Sequence, residues 1–223
     1  MQVSSIGLIE IMERYRKLYL PAVTDILDAE GYTNQWLGKE IKPLRPEMKI
    51  VGEAFTVRWE PDPGRQGADA AKEDTNMLEM LTANKAVVVD SGGNDRCGLW
   101  GAMSAIRARL KGIAGIVVDG NVRDTAHIVE QGFPVFAKST SPLDALGHSK
   151  IKGGEIPVTI NSVIVTPGDI IFGDIDGVVC IPRAIAEDVL KKAEALVANE
   201  TKIRAELLNG ASSTAVREKY GHF

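Results

Sequence analysis

Apolar and polar residues follow two periods along the chain, one helical and one extended. Near the N-terminus, apolar residues recur at helical spacing on both sides of Pro21, and Gly31 can cap the second of these helices. In the middle of the chain, short runs rich in Val and Ile alternate with helical segments, which is typical of a parallel sheet with crossover helices. The predicted helices are 6–20, 22–29, 76–81, 102–110, 124–131 and 184–209, and the predicted strands are 51–59, 86–90, 115–119 and 134–136.

The pattern changes after the Gly153-Gly154 pair. Three apolar runs, at 157–165, 169–172 and 177–181, are joined by Pro-Gly-Asp and Asp-x-Asp-Gly sequences that favour tight turns. Strands joined by such short turns pair antiparallel, so the complete sheet is predicted to be mixed.

These elements predict one α/β domain over 1–223. Its core is a mixed sheet with crossover helices, preceded by N-terminal helices over 1–31 and followed by a C-terminal helical arm over 184–223. The segment 61–74, which contains Pro-Asp-Pro-Gly, is predicted to be an exposed loop. A chain of 223 residues can bury a core of this kind without disulfides.

Composition argues against several kinds of partner. The formal charge is -4 at pH 7 and no basic stripe is present, so a nucleic-acid partner is not expected. No apolar run is long enough to cross a bilayer and no signal-peptide pattern is visible, so no membrane partner is expected either. Cys97 and Cys180 are far apart and predict neither a disulfide framework nor a zinc site. A reducing cytoplasm is the expected location.

Two loops are candidates for chemistry, because ligands of open α/β sheets bind beyond the carboxyl ends of the strands. One is the glycine-rich loop 91–104, and the other runs from Asp119 through the Gly120-Asn121 turn to Arg123 and Asp124. Neither contains a nucleotide-binding glycine motif. The glycines of the first loop can either aim free backbone amides at an anion or simply make a tight turn.

The Arg123-Asp124 pair is open to two interpretations. In the first, the arginine binds a carboxylate or enolate oxygen and the aspartate ligates a hard cation. In the second, Asp124 caps the N-terminus of the next helix and Arg123 is a surface charge. The local sequence by itself does not decide between them.

Four runs of residues carry a resemblance to one known family. They are Leu99-Trp100-Gly101-Ala102-Met103-Ser104, Val117-Val118-Asp119-Gly120-Asn121-Val122-Arg123-Asp124, Val165-Thr166-Pro167-Gly168-Asp169 and Gly173-Asp174-Ile175-Asp176-Gly177. With these runs, the sequence resembles the family of the 4-hydroxy-4-methyl-2-oxoglutarate / 4-carboxy-4-hydroxy-2-oxoadipate aldolases and the regulator of ribonuclease E activity A, over almost the whole chain. The resemblance implies a swivelling β/β/α (RraA-like) fold that assembles as a homotrimer or homohexamer.

The resemblance also implies a site. In the family's aldolases, the backbone amides of the stretch that here is 101–104 bind the carboxylate of a pyruvyl group. The Arg-Asp pair of the family corresponds to Arg123, which contacts the substrate, and Asp124, which binds Mg2+ or Mn2+. A glutamate near the C-terminus of the family acts at the site of a neighbouring subunit, and Glu200 is its match here.

The activity implied is that of a metal-dependent lyase acting on a small 2-keto acid. Cleavage of a 4-hydroxy-2-keto acid gives pyruvate through an enolate, and decarboxylation of oxaloacetate through the same enolate is an expected side activity. Asp124 favours this catalytic branch, since the ribonuclease regulators replace the metal aspartate, whereas Ala102 stands where the known aldolases usually have an acid. The alternatives are a non-catalytic protein-binding regulator and a metal-dependent enzyme on another 2-keto or sugar acid.

Overall fold

The computed structural model describes residues 6–221, without the side chains of residues 69, 70 and 73. The helices of this part are α1 (Leu8–Tyr15), α2 (Leu20–Ala29), α3 (Ala68–Met80), α4 (Ala102–Leu110), α5 (Thr125–Gln131), α6 (Ala186–Leu208) and α7 (Ser213–Tyr220). The strands are β1 (Lys42–Pro43), β2 (Ile50–Pro61), β3 (Lys85–Asp90), β4 (Gly115–Val122), β5 (Val135–Thr140), β6 (Ser149–Gly154), β7 (Val158–Ile160), β8 (Val163–Val165), β9 (Ile170–Asp174) and β10 (Gly177–Ile181).

A mixed sheet of eight strands forms the centre of the fold, in the order β1-β5-β4-β3-β2-β9-β10 with β6 also paired to β2. The strands β2, β3, β4 and β5 are parallel neighbours joined through α3, α4 and α5, which confirms the predicted crossover helices. The strands β9 and β6 pair antiparallel with β2, and β10 pairs antiparallel with β9. The predicted change to antiparallel pairing is therefore confirmed for the runs 169–172 and 177–181, whereas the run 157–165 lies outside this sheet and forms the separate two-stranded sheet β7-β8.

The two ends of the strand order lie close together. Leu37 N donates to Val178 O at 2.9 Å, and Cys180 N donates to Gln35 O at 2.9 Å, so the segment that leads into β1 pairs with β10. The sheet is therefore nearly closed into a barrel. This α/β arrangement, with its crossover helices and C-terminal helices, confirms the predicted fold class.

Alternate residues of the central strands face opposite sides of the sheet. Val87 and Val89 of β3 belong to a core that α3, α4 and α5 cover, whereas Ala86 and Val88 belong to a second core inside the nearly closed sheet. A third core lies between β9 and β10 and the helices α1, α2 and α6. Because both faces of the strands are buried, they read in sequence as continuous apolar runs.

One predicted loop and one predicted helix have different bounds in the structure. The segment 61–74 is not a loop throughout, because α3 begins at Ala68. Its Ala, Lys and Glu residues favour a helix once the turn at Gly67, with φ 101°, has been made. The first helix ends at Tyr15 and not at residue 20, since Tyr19 is extended where it precedes α2.

The strand predictions also need correction. The run 157–165 is two strands, because Asn161 and Ser162 turn the chain with φ values of 45° and 70°. The strand β4 continues to Val122, so the predicted Gly120-Asn121 turn lies inside a strand. The sequence pattern does not predict β1, β6 or α7, which are short or depend on pairing with distant segments.

The helices α6 and α7 make up the segment predicted as a C-terminal arm. Val189 and Leu190 of α6 are buried against the body of the protein, where α6 packs on α1 and α2. Farther along the chain, α7 turns back on α6, and Tyr220 Oη donates to Glu206 Oε1 at 2.8 Å. Within residues 6–221, no helix is both long and apolar enough to cross a membrane.

Candidate functional site

Hydrogen bonds hold the two predicted loops side by side at the carboxyl end of β4. Leu99 N donates to Asn121 O at 2.9 Å, and Arg123 N donates to Trp100 O at 2.8 Å. The end of the glycine-rich loop therefore runs beside the end of β4, where Gly98 and Asn121 form an isolated parallel bridge. This pairing brings the N-terminus of α4 next to Arg123 and Asp124.

Two glycines permit this close approach. A Cβ on Gly98 would lie 2.8 Å from the Cβ of Arg123, and a Cβ on Gly101 would lie 2.7 Å from Oδ2 of Asp124. Both distances are shorter than carbon and oxygen atoms can approach without displacement. The glycines thus do more than make a turn, because they let the backbone of one loop contact the side chains of the other.

Asp124 does not cap the helix that follows it. It precedes α5 in the left-handed conformation, with φ 55° and ψ 34°, and its side chain makes no capping hydrogen bond there. Instead, Oδ2 accepts the N–H of Ala102 at 3.2 Å and lies 3.5 Å from Nε of Arg123. A non-glycine residue in this conformation costs on the order of 1 kcal/mol, and such strain is concentrated at functional sites. The geometry therefore favours the interpretation of Asp124 as a ligand over its interpretation as a cap.

Arg123 lies between two carboxylates. Its Nη1 is 2.5 Å from Oδ2 of Asp144, in addition to the contact of Nε with Asp124. Burial alone lowers the pKa of Arg123, but the two carboxylates outweigh this effect and raise the pKa above its ordinary value. The guanidinium is a permanent positive charge held in a defined orientation.

Asp144 is a site residue that the sequence analysis missed. It lies in the loop after β5, and the N–H of Leu146 donates to its Oδ1 at 3.1 Å, which leaves Oδ2 for Arg123. This loop also follows a parallel strand at its carboxyl end, so the rule that selected the loops after β3 and β4 would have selected it too. An isolated acid in a loop carries no motif that singles it out.

These residues line a cleft of about 250 Å³. Arg123, Asp124 and the first turn of α4 form its polar end, and β2 and α3 supply another wall. The apolar residues of the lining are Trp59, Met77, Leu78, Leu99, Trp100, Met103 and Ala145. A cavity of about 350 Å³ between α2, Trp36 and Asp176 is larger, but it contains none of the predicted site residues.

The first turn of α4 presents backbone amides to the cleft. Met103 and Ser104 both line it, and their amides have no acceptor inside the helix because they belong to its first turn. The amide of Ala102 is already used by Asp124. The predicted anion-binding stretch and Arg123 therefore share one cleft, with two of its amides available to a ligand.

The cleft fits a divalent cation held by a single carboxylate. In the described part of the chain, no three His, Cys, Asp or Glu side chains cluster closely enough to form a complete metal cage. The contacts of Asp124 with Ala102 and Arg123 both use Oδ2, which leaves Oδ1 able to bind a cation. Mg2+ usually keeps several waters and takes one or two carboxylates together with substrate oxygens, so Asp124 in an open cleft is a suitable ligand.

Glu200 lies on α6, away from this cleft. The helix α6 packs with α1 and α2 over β9 and β10, whereas the cleft lies at the end of β4 under α3 and α4. The side chain of Glu200 is partly exposed. Its action at the site of a neighbouring subunit stays a prediction.

A nearly closed mixed sheet, with a cleft at the carboxyl end of β4 that Arg123, Asp124 and the first turn of α4 line, defines the class of this α/β protein. Comparison with known families agrees with the motifs. Residues 20–180 match the model of the RraA-like family, described as Aldolase/RraA. The chain therefore belongs to the RraA-like family.

Individual relatives carry different names. The chain is 31% identical to DlpA of Legionella pneumophila over 198 residues. The match covers 89% of this chain but only 32% of the length of DlpA. It is 31% identical over 218 residues to a Halalkalibacterium halodurans protein named "Putative 4-hydroxy-4-methyl-2-oxoglutarate aldolase", covering 96% and 97% of the two chains. The crystal structure of Streptomyces coelicolor RraAS2, described as an unusual member of the RNase ES inhibitor RraA family, superposes with a TM-score of 0.79. Its identity is 26%, and the match covers 88% of this chain and 98% of that one.

Proposed function

We propose that the protein is a divalent-metal-dependent lyase that cleaves a 4-hydroxy-2-keto acid to pyruvate. The observation that carries this proposal is the convergence of Arg123, Asp124 and the free amides of α4 in one cleft. Helix amides and an arginine are complementary to a carboxylate and an enolate oxygen, and an open aspartate oxygen is complementary to Mg2+ or Mn2+. The relatives named as aldolases support the same conclusion.

Each group has its own role in this reaction. The amides of Met103 and Ser104 bind the C1 carboxylate of the substrate. Asp124 holds Mg2+ or Mn2+, and a bound divalent cation supplies Lewis acidity toward the 2-keto acid. Arg123 donates to the oxygen on C2, where negative charge develops as the C3–C4 bond breaks. Asp144 keeps the guanidinium directed into the cleft through its bond to Nη1.

The atoms of the reaction balance without an oxidant or reductant. A proton leaves the C4 hydroxyl, and the electrons of the C3–C4 bond become the enolate of pyruvate. The C4 fragment departs as an aldehyde or ketone, and protonation of C3 gives pyruvate. Loss of CO2 from oxaloacetate leaves the same enolate, so we propose decarboxylation of oxaloacetate as a side activity.

We also propose that the active form is a homotrimer or homohexamer in which Glu200 enters the cleft of a neighbouring copy. In a closed ring each chain would supply Glu200 to one neighbour and receive it from the other. Glu200 is partly exposed, and it lies on α6, which does not line the cleft of its own chain. Both observations support this arrangement.

A protein-binding regulator is the second candidate function. The observation that favours it is Ala102, whose buried methyl group supplies no acid to the cleft. A metal-dependent enzyme on another 2-keto or sugar acid is equally compatible with Ala102, since the amides of α4 do not depend on that side chain. Asp124 has a left-handed backbone conformation and does not cap α5, which favours an enzyme over a regulator.

Two measurements test the proposed function. The first is pyruvate release from oxaloacetate and from 4-hydroxy-4-methyl-2-oxoglutarate, with Mg2+ and with a chelator. The second is exchange of the pyruvate methyl protons in D2O, followed by NMR, because exchange requires the enolate alone. We expect metal-dependent activity in the exchange assay and in at least one release assay. A regulator gives neither, and activity that survives complete removal of the metal contradicts the role of Asp124.

A further inference from the structure

We infer that the side chain of Ser104, and not only its backbone amide, binds the substrate. Its hydroxyl donates a hydrogen bond to the C1 carboxylate that the amides of Met103 and Ser104 hold in the proposed reaction. The inference rests on the proposed function and deepens it, because it adds a side-chain donor to a carboxylate site that is otherwise made of backbone amides.

Ser104 lies on the part of α4 that meets Arg123 and Asp124. Gly101 is the N-cap of α4, and Ser104 is the third residue of the helix. Side chains at these two positions are neighbours, which is why they bond reciprocally in a capping box. A Cβ on Gly101 would lie 2.7 Å from Oδ2 of Asp124 and 3.2 Å from Cγ of Arg123. The side chain of Ser104 therefore stands beside the polar end of the cleft.

The Ser104 hydroxyl has no hydrogen-bond partner within residues 6–221. Serine and threonine hydroxyls in helices often donate to the carbonyl four residues earlier, as Thr75 does to Ala71 O at 2.9 Å. The corresponding carbonyl for Ser104 is that of Trp100, which accepts the N–H of Arg123 at 2.8 Å. Since Ser104 is partly exposed and lines the cleft, its hydroxyl is open to a ligand.

The hydroxyl and the amide of Ser104 can bind the same carboxylate. Oγ is attached through Cβ to the Cα that carries the amide nitrogen, so the two donors reach neighbouring positions in the cleft. A carboxylate offers about four lone pairs, and the amides of Met103 and Ser104 use only part of them. A hydrogen bond to an ionised acceptor is also roughly twice as strong as one between neutral groups.

Loss of this hydrogen bond should affect KM more than kcat. The C1 carboxylate carries the same charge before and during cleavage, so a bond to it stabilises the bound substrate and the transition state alike. Removing such uniform binding raises KM and leaves kcat largely unchanged. Arg123, by contrast, acts on the C2 oxygen where charge develops, so its loss lowers kcat. The kinetic constant that changes therefore distinguishes the two roles.

Binding of pyruvate in the presence of Mn2+, measured by calorimetry, tests the inference together with steady-state pyruvate release. We expect Ser104→Ala to weaken pyruvate binding and to raise KM by about tenfold, as for the loss of a hydrogen bond to a charged group. Alanine favours a helix, so this variant should keep its fold. Ser104→Thr keeps the hydroxyl and should bind pyruvate like the wild type.

Thr75→Ala is the matched control. It also removes a hydroxyl from a helix next to the cleft, but this hydroxyl is bonded to Ala71 O and Thr75 does not line the cleft. We expect this variant to leave pyruvate affinity and KM unchanged. An equal loss in Thr75→Ala and Ser104→Ala would overturn the inference, because the effect would then not come from a contact with the ligand.

Three other results bear on the inference alone when the wild type binds pyruvate and exchanges its methyl protons. Unchanged pyruvate affinity and KM in folded Ser104→Ala overturn it. Weaker Mn2+ binding at unchanged pyruvate affinity overturns it too, because the hydroxyl would then serve the cation at Asp124. A lower kcat at unchanged KM contradicts a bond to the C1 carboxylate. A wild type that neither binds pyruvate nor exchanges its protons overturns the proposed function, and the inference with it.

Discussion

Removal of Arg123 tests the proposed reaction most directly. In Arg123→Ala, the guanidinium that lies 2.5 Å from Asp144 and 3.5 Å from Asp124 is lost, so its N–H donors are missing when charge develops on the C2 oxygen. Loss of one such donor typically lowers turnover by about 10²- to 10³-fold, or roughly 3–4 kcal/mol. Arg123→Lys keeps the charge but lacks the planar fork that reaches two carboxylates at once, so it should restore only part of the loss.

The same substitution should leave the fold largely unchanged. The side chains of Arg123 and Asp144 are 29% and 60% exposed, and ion pairs as exposed as these contribute about 0–1 kcal/mol. For a chain of this size, that corresponds to a decrease in Tm of at most about 4 °C. The loss of turnover therefore exceeds what partial unfolding can explain.

Arg107→Ala is the matched control. Arg107 also belongs to an ion pair, with Glu79 at 2.7 Å, but it lies on the exposed face of α4 and does not line the cleft. The assay is steady-state pyruvate release with Mg2+ from oxaloacetate and from a 4-hydroxy-2-keto acid, with the Tm and the oligomeric state measured for each variant. Wild-type turnover in a folded Arg123→Ala protein would falsify the role of Arg123, and an equal loss in Arg107→Ala would show that the effect is not specific to the cleft.

Three further predictions concern the metal, the loop contact and the assembly. Asp124→Asn keeps an oxygen acceptor for Ala102 but replaces the carboxylate, so Mn2+ binding measured by calorimetry should weaken at least about tenfold; unchanged affinity would place the metal elsewhere. Gly101→Ala should displace the Asp124 carboxylate, because its Cβ would lie 2.7 Å from Oδ2, and lower both Mn2+ affinity and turnover. Gly7→Ala, whose Cβ would meet nothing within 4 Å, should change neither. Glu200→Gln should lower turnover, and mixed oligomers of Glu200→Gln with Arg123→Ala should regain activity, since some clefts then combine wild-type groups from two chains. Light scattering that shows a fully active monomer, or mixing without any recovery, contradicts the shared site.

Local sequence accounts for the elements of this fold and for their approximate order. The buried strands are visible as runs such as Ala86-Val87-Val88-Val89 because both of their faces are covered. The bounds of a helix are harder to predict where a turn sequence and helix-forming residues are adjacent in the chain. The Pro-Asp-Pro-Gly turn and the helix-forming residues from Ala68 onward are neighbours, and only the structure shows where the turn ends and the helix begins.

The sequence by itself also determined that Arg123 and Asp124 stand together at the end of a parallel strand, because adjacency and strand order are local properties. It did not determine that Asp124 leaves its own helix uncapped, since that choice depends on the amide of Ala102, which lies 22 residues away in the chain.

Tertiary structure alone decided the composition of the cleft. Asp144 reaches Arg123, and Trp59 reaches the same cleft, only because β2, β4 and β5 lie in one sheet and their carboxyl ends, or the loops after them, converge. Closure of the sheet through Leu37 and β10 has the same origin. Such contacts are selected by the packing of distant segments, and a periodic pattern along the chain records which face a residue buries but not which residue it meets.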